Sequence, residues 1–403
     1  MEIIKNSEGT IVSPKGFQVA GLHSGVKRKR NDLGILYSET PAQAAAVYTL
    51  NKIKAEPLKL TKKLLEKENV LQAVIVNSGN ANACTGKQGM LDAIQMQKET
   101  AETLNINQEL VAVASTGIIG LQMPMDKIIP HIKQLKLSNN NEAAGEFGEA
   151  ILTTDTFTKS VCFETEIDGK KITMSGAAKG SGMIEPNMGT MFGFITTDAH
   201  VDANALNHAL KEVVDETFNC ITVDGDTSTN DMVLVMANGQ AENKSLTENH
   251  PEWSKFLELL KQTSEALSKM IAKDGEGASK LIEVNVEGAK TITDARKVAK
   301  SVVGSSLVKT AAFGTDPNWG RIIAAIGYSD VDLDPELIDL SLGDIQLLKH
   351  SEPVDYSEDI ATKYLENDEI SINLNLNQGD YFGQAWGCDL TYDYVRINAS
   401  YRS

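Results

Sequence analysis

A threonine carries the chemistry that this sequence most directly supports. Thr190 stands between a loop of small and polar residues, Lys179-Gly180-Ser181-Gly182-Met183-Ile184-Glu185-Pro186-Asn187-Met188-Gly189, and the apolar run Phe192–Thr197, which reads as a buried strand. Gly189 has no side chain to shield its carbonyl from attack. A threonine at the start of a core strand is sterically fixed by its branched Cβ. If the Gly189–Thr190 bond broke, Thr190 would own a free α-amino group, which titrates at roughly 7.7–8.0 in model compounds. That amine could take the proton of the hydroxyl beside it, so one residue would hold both nucleophile and base and need no histidine. The competing reading of the same residues is an ordinary strand threonine.

Other chemistries find less support. The six histidines, His23, His131, His200, His208, His250 and His350, show no metal-ligand spacing and no HExxH. No GxSxG elbow supplies a serine triad. Lys179-Gly180-Ser181-Gly182 lacks the spacing of a phosphate loop. Asp224-Gly225-Asp226-Thr227-Ser228-Thr229-Asn230-Asp231 resembles a calcium loop, but Val235 occupies the twelfth position, where a bidentate glutamate belongs. It reads instead as a polar loop near a ligand or between strands. Cys84, Cys162, Cys220 and Cys388 stand singly, so they read as small buried hydrophobes of a reducing cytoplasm. No metal and no organic cofactor is expected.

Charge and composition exclude further classes. A formal net charge of −17 argues against nucleic acid as a partner. The one basic run, Lys27-Arg28-Lys29-Arg30, reads as a solvated loop face. Residues 1–189 hold 21 basic and 20 acidic side chains, so the acidic surface belongs to the second half. No run approaches the ~18 apolar residues that a membrane span needs, and the N-terminus lacks a secretory pattern. A cytoplasmic location is expected.

The elements that must position this chemistry are partly legible. Leu71–Asn77 and Leu110–Ser115 are continuous apolar runs that end in glycine-containing turns, so both read as buried strands delivering a loop. Val161–Ile167 and Lys171–Ser175 flank Asp168-Gly169, a hairpin signal. Helices are expected over Ala203–Phe218 after the cap Asp202, over Glu252–Ala272, over Asp294–Val303 and over Ser357–Leu365. The long helix carries Phe256, Leu259, Leu260, Leu267 and Ile271 on one side. With 41% hydrophobic residues in 403, two or three domains are affordable, and a break near Gly275–Ser279 suggests a division into 1–280 and 281–403. Strands mixed with amphipathic helices predict an α/β (α+β) protein of layered sheets.

The segment before Thr190 resembles the self-cleavage motif of the ornithine acetyltransferase family, whose usual form is GMI-x-PNMATM. The resemblance runs through the chain in order. It takes in Ser13-Pro14-Lys15-Gly16-Phe17, Val76-Asn77-Ser78-Gly79-Asn80-Ala81-Asn82-Ala83-Cys84-Thr85-Gly86 and Ser115-Thr116-Gly117-Ile118-Ile119-Gly120. It continues through Thr153-Thr154-Asp155-Thr156, Thr222–Asp231, Asp316-Pro317-Asn318-Trp319-Gly320-Arg321 and Tyr394-Val395-Arg396-Ile397-Asn398-Ala399. The family implies an αββα sandwich core with a smaller C-terminal domain, and a precursor cut between Gly189 and Thr190 into an α chain, 1–189, and a β chain, 190–403. It implies Thr190 as nucleophile, an oxyanion hole at Thr116 and Gly117, and substrate contacts at Thr153, Lys179, Thr190, Glu276, Asn398 and Ser403. The implied reaction moves an acetyl group from N-acetylornithine to glutamate, with acetyl-CoA expected as a second donor and an α2β2 assembly as the working form. Two positions depart from the family pattern: Gly189 replaces the commoner alanine, and Ser403 the commoner threonine. A self-processing N-terminal-nucleophile amidohydrolase or aminopeptidase is the alternative, with water in place of glutamate.

Overall fold

The computed structural model describes residues 2–185 and 191–400. Thr190, Gly189 and Ser403 lie outside the described residues. In chain order, one sheet takes β1 (Ile4–Lys5), β2 (Phe17–Leu22), β3 (Leu33–Tyr48), β4 (Val70–Asn80), β5 (Val111–Ile118), β6 (Lys159–Ile167), β7 (Lys170–Lys179) and β8 (Phe192–Thr197). The short β9 (Ile221–Thr222) belongs to a second sheet, and β10 (Met232–Ala237) returns to the first. The strand order is β1-β6-β7-β8-β10-β3-β4-β5, with β2 on β3. Two neighbours are parallel, β8 with β10 and β4 with β5, and the remaining pairs are antiparallel.

The expected strands form where apolar runs had no polar face to expose. β4 buries Val74 and Val76 on one face and Ala73 and Ile75 on the other. Helices α1 (Glu56–Lys67) and, further along the chain, α4 (Asn141–Ile151) cover the first face with Leu58, Leu65, Phe147 and Ile151. Helices α2 (Gly86–Leu104) and α3 (Met125–Ile132) cover the second with Met96, Ala101, Ile128 and Ile132. Burial on both sides is what makes these strands read as continuous hydrophobic runs rather than alternating ones. The β6–β7 turn has Asp168 at φ 53° and Gly169 at φ 69°, both left-handed, as a two-residue hairpin turn requires. Asp202 caps α5 (Ala203–Glu216), its Oδ1 accepting from the N–H groups of Asn204 and Ala205. α6 (Trp253–Lys273) buries Phe256, Leu259, Leu260, Leu267 and Ile271 completely.

The second sheet adds β11 (Leu281–Ala289), β12 (Asp339–Leu342), β13 (Ile345–Lys349), β14 (Glu352–Pro353), β15 (Glu369–Asn375) and β16 (Tyr381–Cys388), in the order β14-β13-β12-β15-β11-β16-β9. Here β11 alternates: Ile282, Val284 and Val286 are buried, and Glu283, Asn285 and Glu287 face away. The buried face packs α7 (Ile292–Gly304), which presents Ala295, Val298, Ala299, Val302 and Val303. Four further helices are α8 (Ser306–Phe313), α9 (Trp319–Gly327), α10 (Glu358–Leu365) and α11 (Tyr392–Ala399). The chain is a mixed α/β protein of layered sheets and helices, as expected.

Two compact units result, and neither is one continuous span. The first comprises Met1–Gly180, Asn187–Asp215 and Thr227–Leu267, and the second Ser181–Pro186, Glu216–Asp226 and Ser268–Ser403. The expected domains were 1–280 and 281–403; the compact units are discontinuous in sequence, and two short segments group with the residues from 268 on. Among the cysteines, Cys162, Cys220 and Cys388 are buried as expected, whereas Cys84 is exposed. Cys84 sits at φ 58° in the turn between β4 and α2, so its side chain leaves the core.

Candidate functional site

In the first unit, β4 and β5 end side by side. Ser78 pairs with Thr116 and Gly79 with Gly117, and the ladder then bulges so that Asn80 faces both Thr116 and Ile118. Gly117 has φ +131°, and a Cβ on it would lie 2.3 Å from the Gly79 carbonyl carbon and 2.5 Å from the Asn80 nitrogen. Glycine is required there by both conformation and space. Buried amides fix the two strand ends. Asn77 Nδ2 donates to the Asn80 carbonyl at 2.9 Å, and Ser115 Oγ donates to Asn77 Oδ1 at 2.6 Å. Asn230 Nδ2 donates to the carbonyls of Ala81 and Ser115, both at 2.6 Å. Asn230 comes from the run that resembled a calcium loop; its task is to tie a strand end to the turn beyond its neighbour. Thr116 is itself buried.

Lys179 closes β7 opposite Phe192, the first residue of β8. It is only 4% exposed, so it is not a solvated surface charge. Its surroundings are organised by Asp155, a residue to which the sequence reading gave no role. Asp155 Oδ2 accepts from the Thr153 N–H at 2.9 Å, and Oδ1 accepts from the Gly180 N–H at 2.6 Å and from Lys159 Nζ at 2.8 Å. One carboxylate thus holds the backbone of Thr153 and of the residue after Lys179. Basic residues fasten the same loop from outside. Arg30 Nη1 donates to the Asp155 carbonyl at 2.9 Å, and Lys27 Nζ to the Leu152 carbonyl at 3.0 Å. The run Lys27–Arg30 is therefore only partly a solvated face; burial pulls the Lys27 pKa down to about 8, against the opposing pull of Asp32.

Burial alone would raise the pKa of Asp155, but the Lys179 and Lys159 ammonium groups and the Thr153 N–H hold it well below the usual carboxylate range. Asp155 and Lys159 are both fully enclosed. A folded-state pKa below the ordinary value near 3.8 means stability that is present above that value and lost as pH falls through the folded one. Unfolding free energy measured in denaturant should therefore drop between about pH 4 and pH 2 by on the order of 2 kcal/mol from this group. The variant Asp155→Asn/Lys159→Met should lose less over the same range, because the carboxylate that titrates there is gone. Parallel curves for the two proteins would show that the Asp155 carboxylate does not set this acid limb.

In the second unit, Glu276 and Asn398 come together. Asn398 Nδ2, on α11, donates to Glu276 Oε2 at 2.7 Å, and Glu276 is 8% exposed. The Glu276 N–H donates to the Ser181 carbonyl at 2.9 Å, and Ser181 Oγ donates to the Asp274 carbonyl at 2.7 Å. A Cβ at Gly182 would meet the Glu276 carboxyl carbon at 2.3 Å, so that glycine lets the loop lie against the carboxylate. The Asn398–Glu276 bond fixes the carboxylate's direction while leaving Oε1 free of that contact. Among the described residues, no group of three His, Cys, Asp or Glu side chains could hold a metal ion. Among the same residues, no helix is long and apolar enough to cross a membrane.

Of the expected site residues, the structure thus groups Thr153 with Lys179 through Asp155, and Glu276 with Asn398, and it places Thr116–Gly117 at a strand end that tolerates only glycine at the second position. The ArgJ family model matches residues 18–403. An arginine biosynthesis bifunctional protein ArgJ from Geobacillus kaustophilus is 56% identical over 397 residues, 98% of this chain and 97% of that one. The protein of the same name from Listeria monocytogenes is 58% identical over 403 residues, the whole of both chains. The crystal structure of the same-named protein from Bacillus halodurans matches with a TM-score of 0.52 and 58% identity, over 53% of this chain and 100% of that one. Matches of this length and identity show that this chain belongs to the ArgJ family.

Proposed function

We propose that the chain cuts itself between Gly189 and Thr190 and then uses Thr190 to carry an acetyl group from N-acetylornithine to glutamate. Acetyl transfer in arginine biosynthesis is the activity of its family; the route through Thr190 is the present proposal. The observation that carries the cut is one of length. Residues 190–403 number 214, or 53% of the chain, and the solved Bacillus halodurans chain is matched over all its length by a share of this chain of equal size, 53%. The described chain before the segment fits as well: Glu276 and Asp274 engage Ser181, and β8 starts two residues after Thr190.

In the proposed sequence, Thr190 Oγ attacks the acetyl carbonyl, its proton passing to the Thr190 amine and on to the leaving nitrogen of ornithine. Glutamate nitrogen then attacks the acetyl ester and regenerates the hydroxyl. Each half passes through a tetrahedral oxyanion, for which Thr116 and Gly117 are the proposed donors; one such donor is worth roughly 3–4 kcal/mol of barrier. Lys179 is assigned to a substrate carboxylate, Glu276, steered by Asn398, to a substrate ammonium, and Thr153 and Ser403 to further contacts. No metal or organic cofactor enters these steps. Acetyl-CoA is proposed as a second donor to Thr190, a cytoplasmic α2β2 assembly as the working form, and a catalytic core over 1–280 with a smaller domain over 281–403 as its domain organisation.

N-terminal sequencing of the purified protein should give a chain beginning Thr-Met-Phe-Gly. Incubation with N-acetylornithine should release ornithine in step with N-acetylglutamate only when glutamate is present. Ornithine release indifferent to glutamate would identify a hydrolase instead, and a β chain beginning elsewhere would remove Thr190 as an N-terminal nucleophile.

A further inference from the structure

The loop between β2 and β3, within the first unit, is a built structure rather than a spacer. Asp32, fully buried, gathers it from inside. Its Oδ1 accepts from the Ser24 N–H at 2.6 Å and from Ser24 Oγ at 2.7 Å. Its Oδ2 accepts from the Gly25 N–H at 3.1 Å and the Lys27 N–H at 2.8 Å. The Asp32 carbonyl accepts from the Ser78 N–H at 2.9 Å, which seats the loop on the end of β4. The point where the Lys27 side chain leaves the backbone is thereby fixed. Its aliphatic stem lies over Gly79, where a Cβ would come within 2.9 Å of Lys27 Cγ. Gly79 is the residue that pairs with Gly117. Beyond the stem, the Lys27 ammonium donates to the Leu152 carbonyl at 3.0 Å and to the Glu149 carbonyl at 3.4 Å. Both carbonyls belong to the C-terminal end of α4, where a cation also meets the negative end of the helix dipole. The residue after Leu152 is Thr153.

We propose that Lys27 is a positioning residue for acetyl transfer, one side chain that sets the Thr153 loop against the Gly79–Gly117 strand end. This rests on the reading given above, in which Thr153 contacts substrate and Gly117 the oxyanion. The sheet does not need the lysine: the β3–β4 and β4–β5 ladders hold β4, and Ser78 Oγ already ties it to α4 by donating to the Ala150 carbonyl at 2.6 Å. What the ammonium adds is a grip on the last carbonyl before Thr153. From there Asp155 carries the tie onward, accepting from the Thr153 N–H and from the Gly180 N–H beside Lys179. A half-buried ammonium costs desolvation, and an apolar side chain would cover Gly79 without that cost. The charge is therefore explained by the loop it holds. Contacts to a substrate depend on how closely they are placed, and a misplacement of about 1 Å can cost on the order of 100-fold.

The test is steady-state transfer from N-acetylornithine to glutamate on the purified full protein, with amide hydrogen exchange on the same preparations. Lys27→Met keeps a stem over Gly79 and removes the ammonium. It should raise KM for both substrates by about 10-fold and leave kcat within about threefold of wild type. The Thr153 amide should exchange about 10-fold faster, while the amides of β4 and β5 keep their protection. Lys27→Arg, which keeps a cation at the helix end, should hold KM within about threefold of wild type. A melting curve checks folding. If Lys27→Met does not fold, Lys27→Gln, which keeps a neutral donor, should raise KM by about threefold. A folded neutral variant with wild-type KM for both substrates overturns the proposal. So does one that loses kcat at unchanged KM, because Lys27 would then act on the chemical step. A folded Lys27→Arg protein no better than Lys27→Met overturns it as well, since the cation would not be what the site requires. A wild-type protein that releases no ornithine in the presence of glutamate ends the transfer reading instead, and exchange at Thr153 still decides whether Lys27 holds the loop.

Discussion

Thr190→Ala is expected to give a single uncut chain with transfer activity reduced by on the order of 10⁴-fold or more, the scale on which loss of a covalent nucleophile is felt. The cause is chemical. Alanine has no oxygen to attack the Gly189 carbonyl, so the peptide bond persists and no α-amino group is released to act as base. Nucleophile and base vanish together. The surrounding structure has no reason to change: the residues after Thr190 are fixed by β8, which pairs with β7 on one side and β10 on the other. Thr190→Ser keeps the hydroxyl and the latent amine but loses the methyl that restricts χ1. It should still cut, more slowly, and transfer with a reduced kcat. Gel mobility, N-terminal sequencing and a glutamate-dependent ornithine assay on one set of preparations read all of this. Cutting at the same bond in Thr190→Ala would show that another group attacks Gly189. An uncut Thr190→Ala chain with near-normal transfer would show that the acetyl group never rests on this residue.

The parts of the molecule legible in the sequence are those where one local pattern dominates. The hairpin at Asp168-Gly169 and the strand Phe192–Thr197 were readable because turn chemistry and apolar runs are properties of adjacent residues. β3 was not readable. Its 16 residues, Leu33–Tyr48, contain Ser38-Glu39-Thr40-Pro41, which reads as a break. The sheet absorbs it by slipping register against β4 between Tyr37 and Ala42, while Gln43–Tyr48 pair with β10. Site residues divide the same way. Thr190 announced itself through its neighbours and through the family motif. Asp155 did not, because its significance comes from the Gly180 N–H, 25 residues away, and from the buried Lys159. Asn230 was hidden likewise, since its two acceptors lie 149 and 115 residues distant. A hint was present for Asp155: an acid four residues before a lysine that opens a strand just ahead of the apolar Val161-Cys162-Phe163 needs a reason, and the reason is a buried pair.

Gly117→Ala should lower kcat/KM by about 10²- to 10³-fold, mostly in kcat, and should lower the melting temperature as well. The steric part is set by backbone atoms. A new Cβ would sit 2.3 Å from the Gly79 carbonyl carbon and 2.5 Å from the Asn80 nitrogen, and neither can rotate away as a side chain would. The φ of +131° adds strain, since that region is essentially closed to residues with a Cβ. Relief requires the ends of β4 and β5 to part, and the network that fixes them, Asn77, Ser115 and Asn230, is buried and resists. Either way the Thr116–Gly117 peptide moves. If its N–H faces the developing oxyanion, the loss falls on the transition state more than on substrate binding, which is why kcat should drop with little change in KM. One donor misplaced accounts for the factor. Thr116→Val separates the effects, because it keeps the backbone and removes only the hydroxyl; it should cost about 10-fold in kcat and leave the melting temperature nearly unchanged. A Gly117→Ala protein that melts early yet turns over normally per folded molecule would keep the packing argument and end the oxyanion assignment. Normal melting and normal turnover together would end both the packing argument and the oxyanion assignment.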